Sequence, residues 1–198
     1  MGDNIRDRGR EILTAELADA AATYCAEAGF DAVTVDDIAR AIGISRATFF
    51  RYFTSKEAAV VAAVRIGRLS IADQLRQAQP IPGTRVVDAV RAAMQPTIDA
   101  AHATPELLRA RLKMIAESSA LRARLASERS EQRAGLEQAL LERVADPIGA
   151  CAAAHASMAA IDLAWSIWSS DERMEFGAAL DRAFALVADV GSVRLDHS

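Results

Sequence analysis

Residues 34–60 read TVDDIARAIGISRATFFRYFTSKEAAV, and this stretch decides the fold. Val35, Ile38, Ala39 and Ile42 recur at the three-and-four spacing of one helical face. Thr34 with Asp37 three residues on has the form of a capping box, and it sets the acid at the positive end of the helix dipole. Gly43-Ile44 supplies a tight turn, since glycine enters positive φ without a steric cost. Ser45 caps a further helix and Ser55 the next. Two short helices joined by a glycine-bearing turn predict a helix-turn-helix, whose second helix can enter a major groove. Its exposed first half carries Arg46, suited to bidentate reading of guanine, and Thr48, a small polar or methyl contact.

The charge pattern agrees. From Ile38 to Lys56 stand Arg40, Arg46, Arg51 and Lys56 with no acid between them, although the whole chain carries a formal charge of −4. Asp31, Asp36 and Asp37 precede the run and Glu57 follows it. A local basic run on an acidic body suits targeted phosphate contact and excludes indiscriminate coating of nucleic acid. Thr34, Ser45 and Ser55 are each explained by capping alone, and Arg46 and Arg51 by solvation. Lys56 is harder to explain, because a cation in the first turn of a helix opposes its dipole. An external anion would account for it.

Working outward, residues 5–28 predict a first helix with the stripe Leu13, Leu17, Ala20, Ala21, Tyr24 and Cys25. Gly29 stops it, and Phe30 folds back on its end. A fourth helix is expected from Ser55 to about residue 79, followed by a loop at Pro80, Pro82 and Gly83 that marks a domain boundary. Five helices then follow: 86–103, kinked by Pro96; 107–117, opened by Thr104-Pro105-Glu106; 120–144, split from it at Ser118-Ser119; 148–168 after Asp146-Pro147; and 173–190, with a frayed tail from Gly191. Alanine-rich composition, sparse glycine and the absence of alternating β-branched runs make the chain all-α, with about nine helices. The expected division is 1–56 as the helix-turn-helix domain, 57–79 as a connecting helix and 80–198 as a ligand-binding and dimerisation domain.

The segment 34–60, extended to about 5–64, resembles the DNA-binding signature of TetR-family regulators. That resemblance implies a DNA-binding transcriptional regulator, a repressor released by a small ligand, working as a homodimer on a palindromic double-stranded operator. It implies that Thr34 and Lys56 hold phosphates, that Arg46, Ala47 and Thr48 face bases from the helix capped by Ser45, and that Tyr52 touches the backbone. Phe49 and Phe53 match core positions. Phe50 stands where the family commonly has a tyrosine, and a phenyl ring cannot donate a hydrogen bond to phosphate. It can pack on a thymine methyl or a sugar instead.

In the C-terminal half, Ala152, Ala156, Ala159, Ala160 and Ala164 allow close helix approach. Leu163, Trp165, Trp168, Phe176, Leu180, Phe184 and Leu186 add apolar area, so the last two helices serve either as a dimer surface or as internal core. By the resemblance they pair with their counterparts in a four-helix bundle. The run TPELLRARLKMIAESSALRARLASERSEQ, within a stretch from about Thr104 to Glu142, resembles the C-terminal domain of mycofactocin-type members, which take acyl-CoA-like ligands. It implies an amphiphilic effector. Met94, Met114 and Met158 are adaptable lining candidates, His102 and His155 polar anchors, and Arg109 and Lys113 phosphate partners, with Arg122 and Arg124 nearby. Methionines at helical spacing are equally ordinary core. Glu106 with Arg109 and Lys113 with Glu117 equally make a solvated face.

No nucleophile elbow, phosphate loop or HExxH is present, which argues against an enzyme; no cofactor or metal is expected. Cys25 and Cys151 lie far apart in apolar patterns, as free thiols of a cytoplasmic protein do. No apolar stretch approaches the roughly 20 residues that a membrane span requires, and the polar first ten residues do not read as a signal peptide. The competing reading is a helical interaction protein that does not bind DNA, which the C-terminal half alone would suit.

Overall fold

Polar caps set where the early helices begin. Thr34, Ser45, Ser55 and Ser70 each accept a hydrogen bond from the backbone N–H three residues on, at Asp37, Thr48, Ala58 and Asp73. Each bond satisfies a donor that a helix start leaves without an intrahelical partner. In the computed structural model, which describes residues 3–65, 70–79 and 83–189, these caps open α2 (Val35–Ala41), α3 (Arg46–Tyr52), α4 (Lys56–Ala62) and α5 (Ile71–Gln77). Before them come α1 (Asp3–Ala28) and a 3-10 turn at Phe30–Ala32. After them come α6 (Val86–Ala93), α7 (Gln95–Ala103), α8 (Pro105–Glu117), α9 (Ser119–Leu141), α10 (Pro147–Ser170) and α11 (Phe176–Ala188). The described residues form eleven α-helices and no strand, as an all-α chain should.

The excess over nine has two local causes. The expected fourth helix is two helices: α4 ends at Ala62, and Ser70 caps α5 with its hydroxyl also donating to Asp73 at 2.7 Å. Residues 66–69 between them lie outside the described residues, as do the expected boundary prolines Pro80 and Pro82 and the tail from Gly191. The helix expected over 86–103 is broken at Met94 rather than kinked. Pro96 stands in the first turn of α7, where its missing N–H costs nothing. Thr104 leads into Pro105 as expected, but its side chain makes no capping bond.

Two compact units result, Met1–Arg68 with Thr104–Glu128 and Leu69–Ala103 with Arg129–Ser198. The contacts thus group α8 and the start of α9 with the N-terminal helices, where a boundary near residue 80 was expected. Ile115 and Leu121 lie in one buried cluster with Leu17, Ala18, Ala21, Cys25, Ile38, Phe49, Phe53 and Val60. Within α1 the buried face is rotated from the expected stripe: Leu13 and Ala20 are exposed, and Ala18 and Ala22 are buried. Gly29 ends α1 at φ +86°, and Phe30 is buried against the cluster. Burial pushes the Cys25 thiol up to about 11.

One charged side chain belongs to this interior. Arg111 of α8 is buried; its Nη1 donates to Asp19 Oδ1 at 2.7 Å and to the Ala63 carbonyl at 3.0 Å. It therefore ties α8 to α1 and to the C-terminal end of α4. Buried Glu128 nearby in sequence takes Arg65 at 3.1 Å and Arg124 at 3.2 Å, all within the same unit.

In the second unit α10 packs chiefly on α11 and also on α6. Ala160, Ala164, Trp168, Phe176 and Leu180 are buried there, and the Trp165 and Phe176 rings stack at 3.9 Å. Trp165 is half-buried and the others are buried within one chain, so these side chains serve the packing of α10 on its own neighbours. Ala152 and Ala159 remain exposed on α10, with Ile148 at 81% and Leu186 of α11 at 49%. By length and composition α10 is apolar enough to cross a membrane, contrary to expectation. Its buried side is spent on α11 and α6, as in a core helix.

Arg111→Ala should leave the Ala63 carbonyl and Asp19 without their donor, at a cost of about 1–3 kcal/mol. At 2–4 °C per kcal/mol for a chain of this size, the melting temperature should fall by roughly 5 °C. Asp19→Asn should cost less, because the Asp19 side chain is 58% exposed. A melting curve for Arg111→Ala that overlays wild type would contradict this role.

Candidate nucleic-acid interface

The turn between α2 and α3 is built as its residues require. Gly43 has φ +74°, and Ile44 N–H donates to the Ala39 carbonyl at 2.9 Å, closing the turn on the end of α2. Thr34 and Asp37 form a complete capping box. Asp37 Oδ2 accepts from the Thr34 backbone N–H at 3.0 Å and from its hydroxyl at 2.6 Å, and these bonds hold the Asp37 carboxyl below its ordinary range. Beneath the turn, Phe49 is fully buried and its ring lies 5.3 Å from that of Phe53.

The nominated residues fall on this frame as follows. Thr34 and Ser45 are exposed but engaged as caps; Ser45 Oγ accepts from Thr48 N–H at 3.0 Å and lies 2.9 Å from Thr48 Oγ1. Arg46 and Ala47 are exposed on the first turn of α3, with Thr48 half-buried beside them. Phe50 is 45% exposed, so it is a surface ring and not a core one. Tyr52 is half-buried with the Arg51 guanidinium 5.2 Å from its ring.

Lys56 is placed differently from a free phosphate ligand. Its Nζ donates to the carbonyls of Phe30 and Val33, each at 2.9 Å, and sits 4.4 Å from the centre of the Phe30 ring. A cation at this helix start therefore has internal acceptors and needs no external anion. The ammonium has three hydrogens, and these carbonyls take two of them. Two further contacts escaped the sequence reading. Asp36 Oδ1 accepts from Arg46 Nη1 at 2.9 Å, and Arg10 Nη2 reaches the Arg51 carbonyl at 3.4 Å. Neither contact is between neighbours in sequence, so no local motif announces it.

Family comparison agrees with this geometry at both ends of the chain. Residues 17–63 match the family of bacterial regulatory proteins called the tetR family, and residues 84–191, more than half of the chain, match the MftR C-terminal domain. The chain belongs to the TetR family. It is therefore a transcriptional regulator with a helix-turn-helix DNA-binding domain, and nothing in the comparisons favours the interaction-protein reading. A Mycobacterium tuberculosis protein assigned as the mycofactocin biosynthesis transcriptional regulator MftR is 49% identical over 51 residues, 26% of this chain and 26% of that protein. The matched stretch thus spans about a quarter of that relative's length. A Clostridium perfringens structure assigned as a fatty acid metabolism regulator superposes with a TM-score of 0.51 at 18% identity, covering 91% of this chain and 99% of the other. The fatty acid degradation regulator FadR from Bacillus halodurans gives 0.51 at 21% identity, with 88% and 93% covered. These two likenesses support the TetR-like fold.

The residues expected to hold an effector fall in both units. Met94 and Met158 are buried in the second unit, while Met114 packs against the buried cluster of the first. Arg109 and Lys113 lie on α8 in the first unit, half-buried and exposed. His102 and His155 are exposed, and His155 Nδ1 lies 2.9 Å from the Cys151 carbonyl in its own helix.

Lys56→Met should keep the apolar stem and lose both carbonyl contacts and the ring contact. The expected destabilisation is about 1–3 kcal/mol, read by thermal melting. DNA affinity should fall alike for all sequences. The salt slope should fall by roughly one unit if the third ammonium hydrogen holds a phosphate. An unchanged slope with a lowered melting temperature would assign Lys56 to the fold alone.

Proposed function

We propose that this regulator binds a palindromic operator as a homodimer, reading bases from the first turn of α3. The observation that carries this is the exposure of Arg46 and Ala47, with Thr48 half-buried beside them, on a helix anchored from behind by Phe49. Arg46 is the reader of guanine and Thr48 the smaller contact. Thr34, Lys56 and Tyr52 flank them as backbone contacts, with Ser45 fixing the helix start. Binding of this kind is phosphate-assisted and weakens with salt.

The dimer forms through the outer faces of α10 and α11, around Ile148, Ala152, Ala159 and Leu186. Support comes from their exposure in a single chain and from the need for two recognition helices about 34 Å apart. The effector is a small amphiphile of the acyl-CoA class, taken up by the C-terminal domain. Support comes from the match of residues 84–191 to the MftR C-terminal domain and from the resemblance at about 104–142. The protein acts in the cytoplasm as a repressor that the effector releases. Release requires unequal binding to two conformations, and the coupling must be reciprocal.

Three measurements test these parts. Arg46→Ala should relax preference at one base pair of the operator by about 1–3 kcal/mol, read by competition binding; unaltered preference at every position would refute base reading by α3. Ala159→Arg should give a monomer in sedimentation with native helicity, whereas a wild-type monomer at micromolar concentration would refute the dimer. Acyl-CoAs of several chain lengths should lower operator affinity, and operator should lower acyl-CoA affinity by the same factor; calorimetry without binding would refute the ligand class.

A further inference from the structure

We propose that Asp36 is a positioning residue for sequence specificity, holding the Arg46 guanidinium against the face of Phe50 so that it is presented to a base rather than to a phosphate. The inference rests on the reading of Arg46 as a base contact. It adds a residue from α2 to that function and gives Phe50 a role.

Three observations converge on one side chain. Asp36 Oδ1 accepts from Arg46 Nη1 at 2.9 Å, across the turn and ten residues along the chain. The Arg46 guanidinium carbon lies 5.2 Å from the centre of the Phe50 ring, within cation–π range. Phe50 is itself exposed and held at its base by Phe49, edge to face at 5.7 Å. Arg46 is thus fixed at one end by a carboxylate and along its face by a ring, one from each helix of the motif.

Stability does not explain the pair. The Arg46 and Asp36 side chains are 59% and 55% exposed, and ion pairs so exposed contribute little. Nor is Asp36 needed as a cap, because Asp37 closes the capping box of α2 and also takes Arg40 at 3.2 Å. A positioning role does explain it. A guanidinium already held in one orientation loses less freedom on docking against guanine than a free side chain would. The carboxylate also repels phosphate, so a nonspecific complex, in which Arg46 would turn to the backbone, is penalised. Phe50 has no hydroxyl to give a phosphate, and its ring serves as the shelf for Arg46.

The test uses the full-length protein. Operator sequences are selected from a random duplex library with wild type, and affinities for the selected site, its single-base-pair variants and random duplex are measured at one salt concentration. Asp36→Ala should lower the ratio of specific to random affinity at least fivefold, with random affinity unchanged or raised. The loss should concentrate at the base pair to which Arg46→Ala becomes indifferent. Asp36→Asn, which keeps an acceptor oxygen, should fall between Asp36→Ala and wild type, and serves alone if the alanine variant does not fold. Asp31→Ala removes an equal charge from the exposed 3-10 turn and should leave the ratio unchanged. If Asp36→Ala shifts both affinities by one common factor, as Asp31→Ala does, the carboxylate is only a charge and the proposal is overturned. If Arg46→Ala keeps full preference at every base pair, the base-reading assignment itself has failed and the proposal falls with it.

Discussion

The buried contact of Phe49 with its neighbours is the constraint on which the DNA-binding region depends. Helices α2, α3 and α4 have seven residues each, while isolated helices below about 12–15 residues are marginal even with good formers. Their caps and turn can set where they start and stop but cannot hold them. A common core must, and it consists of Phe49, Phe53, Ile38 and Val60 packed on the small face of α1 at Ala18, Ala21 and Cys25. With Phe49 anchored, the opposite side of α3 is free to present Arg46 and Ala47.

Features set by residues near one another in sequence were legible. Thr34, Ser45 and Ser55 each cap the helix assigned to them, Gly29 and Gly43 take the positive φ their turns need, and Ser118 separates α8 from α9. The start of α5 was equally available, since Ser70 and Asp73 repeat the pattern of Thr34 and Asp37, but the expected fourth helix ran on past them to about residue 79. What the sequence hid is direction. Alanines at 152, 156, 159, 160 and 164 look alike, yet Ala160 and Ala164 are core while Ala152 and Ala159 face out. Arg111 is buried although arginine is usually solvated, because its acceptors come from α1 and the end of α4, far away in the chain.

The same distinction governs charge at the candidate interface. A run of four basic residues without an acid describes a potential, but each cation has its own company. Lys56 is held by two carbonyls and a ring, Arg46 by a carboxylate and a ring, and Arg40 by Asp37. Acids flanking the run are therefore not mere diluents of positive charge. Asp37 shapes a helix start and Asp36 orients a neighbour, which sharpens a surface that a bare basic patch would leave indiscriminate. On a chain whose net charge is −4, one arrangement can thus serve both to limit nonspecific attraction and to favour a particular site.

We propose above all that the chain recognises a particular DNA sequence as a two-fold pair. The most direct measurement is hydroxyl-radical footprinting of the full-length protein on duplexes enriched from a random library, with affinity compared against random duplex at physiological salt. Two protected half-sites related by a dyad and about one helical turn apart are expected, with specific affinity at least about a thousandfold above random. A library that yields no enriched sequence, or protection that is uniform along the duplex, would contradict it.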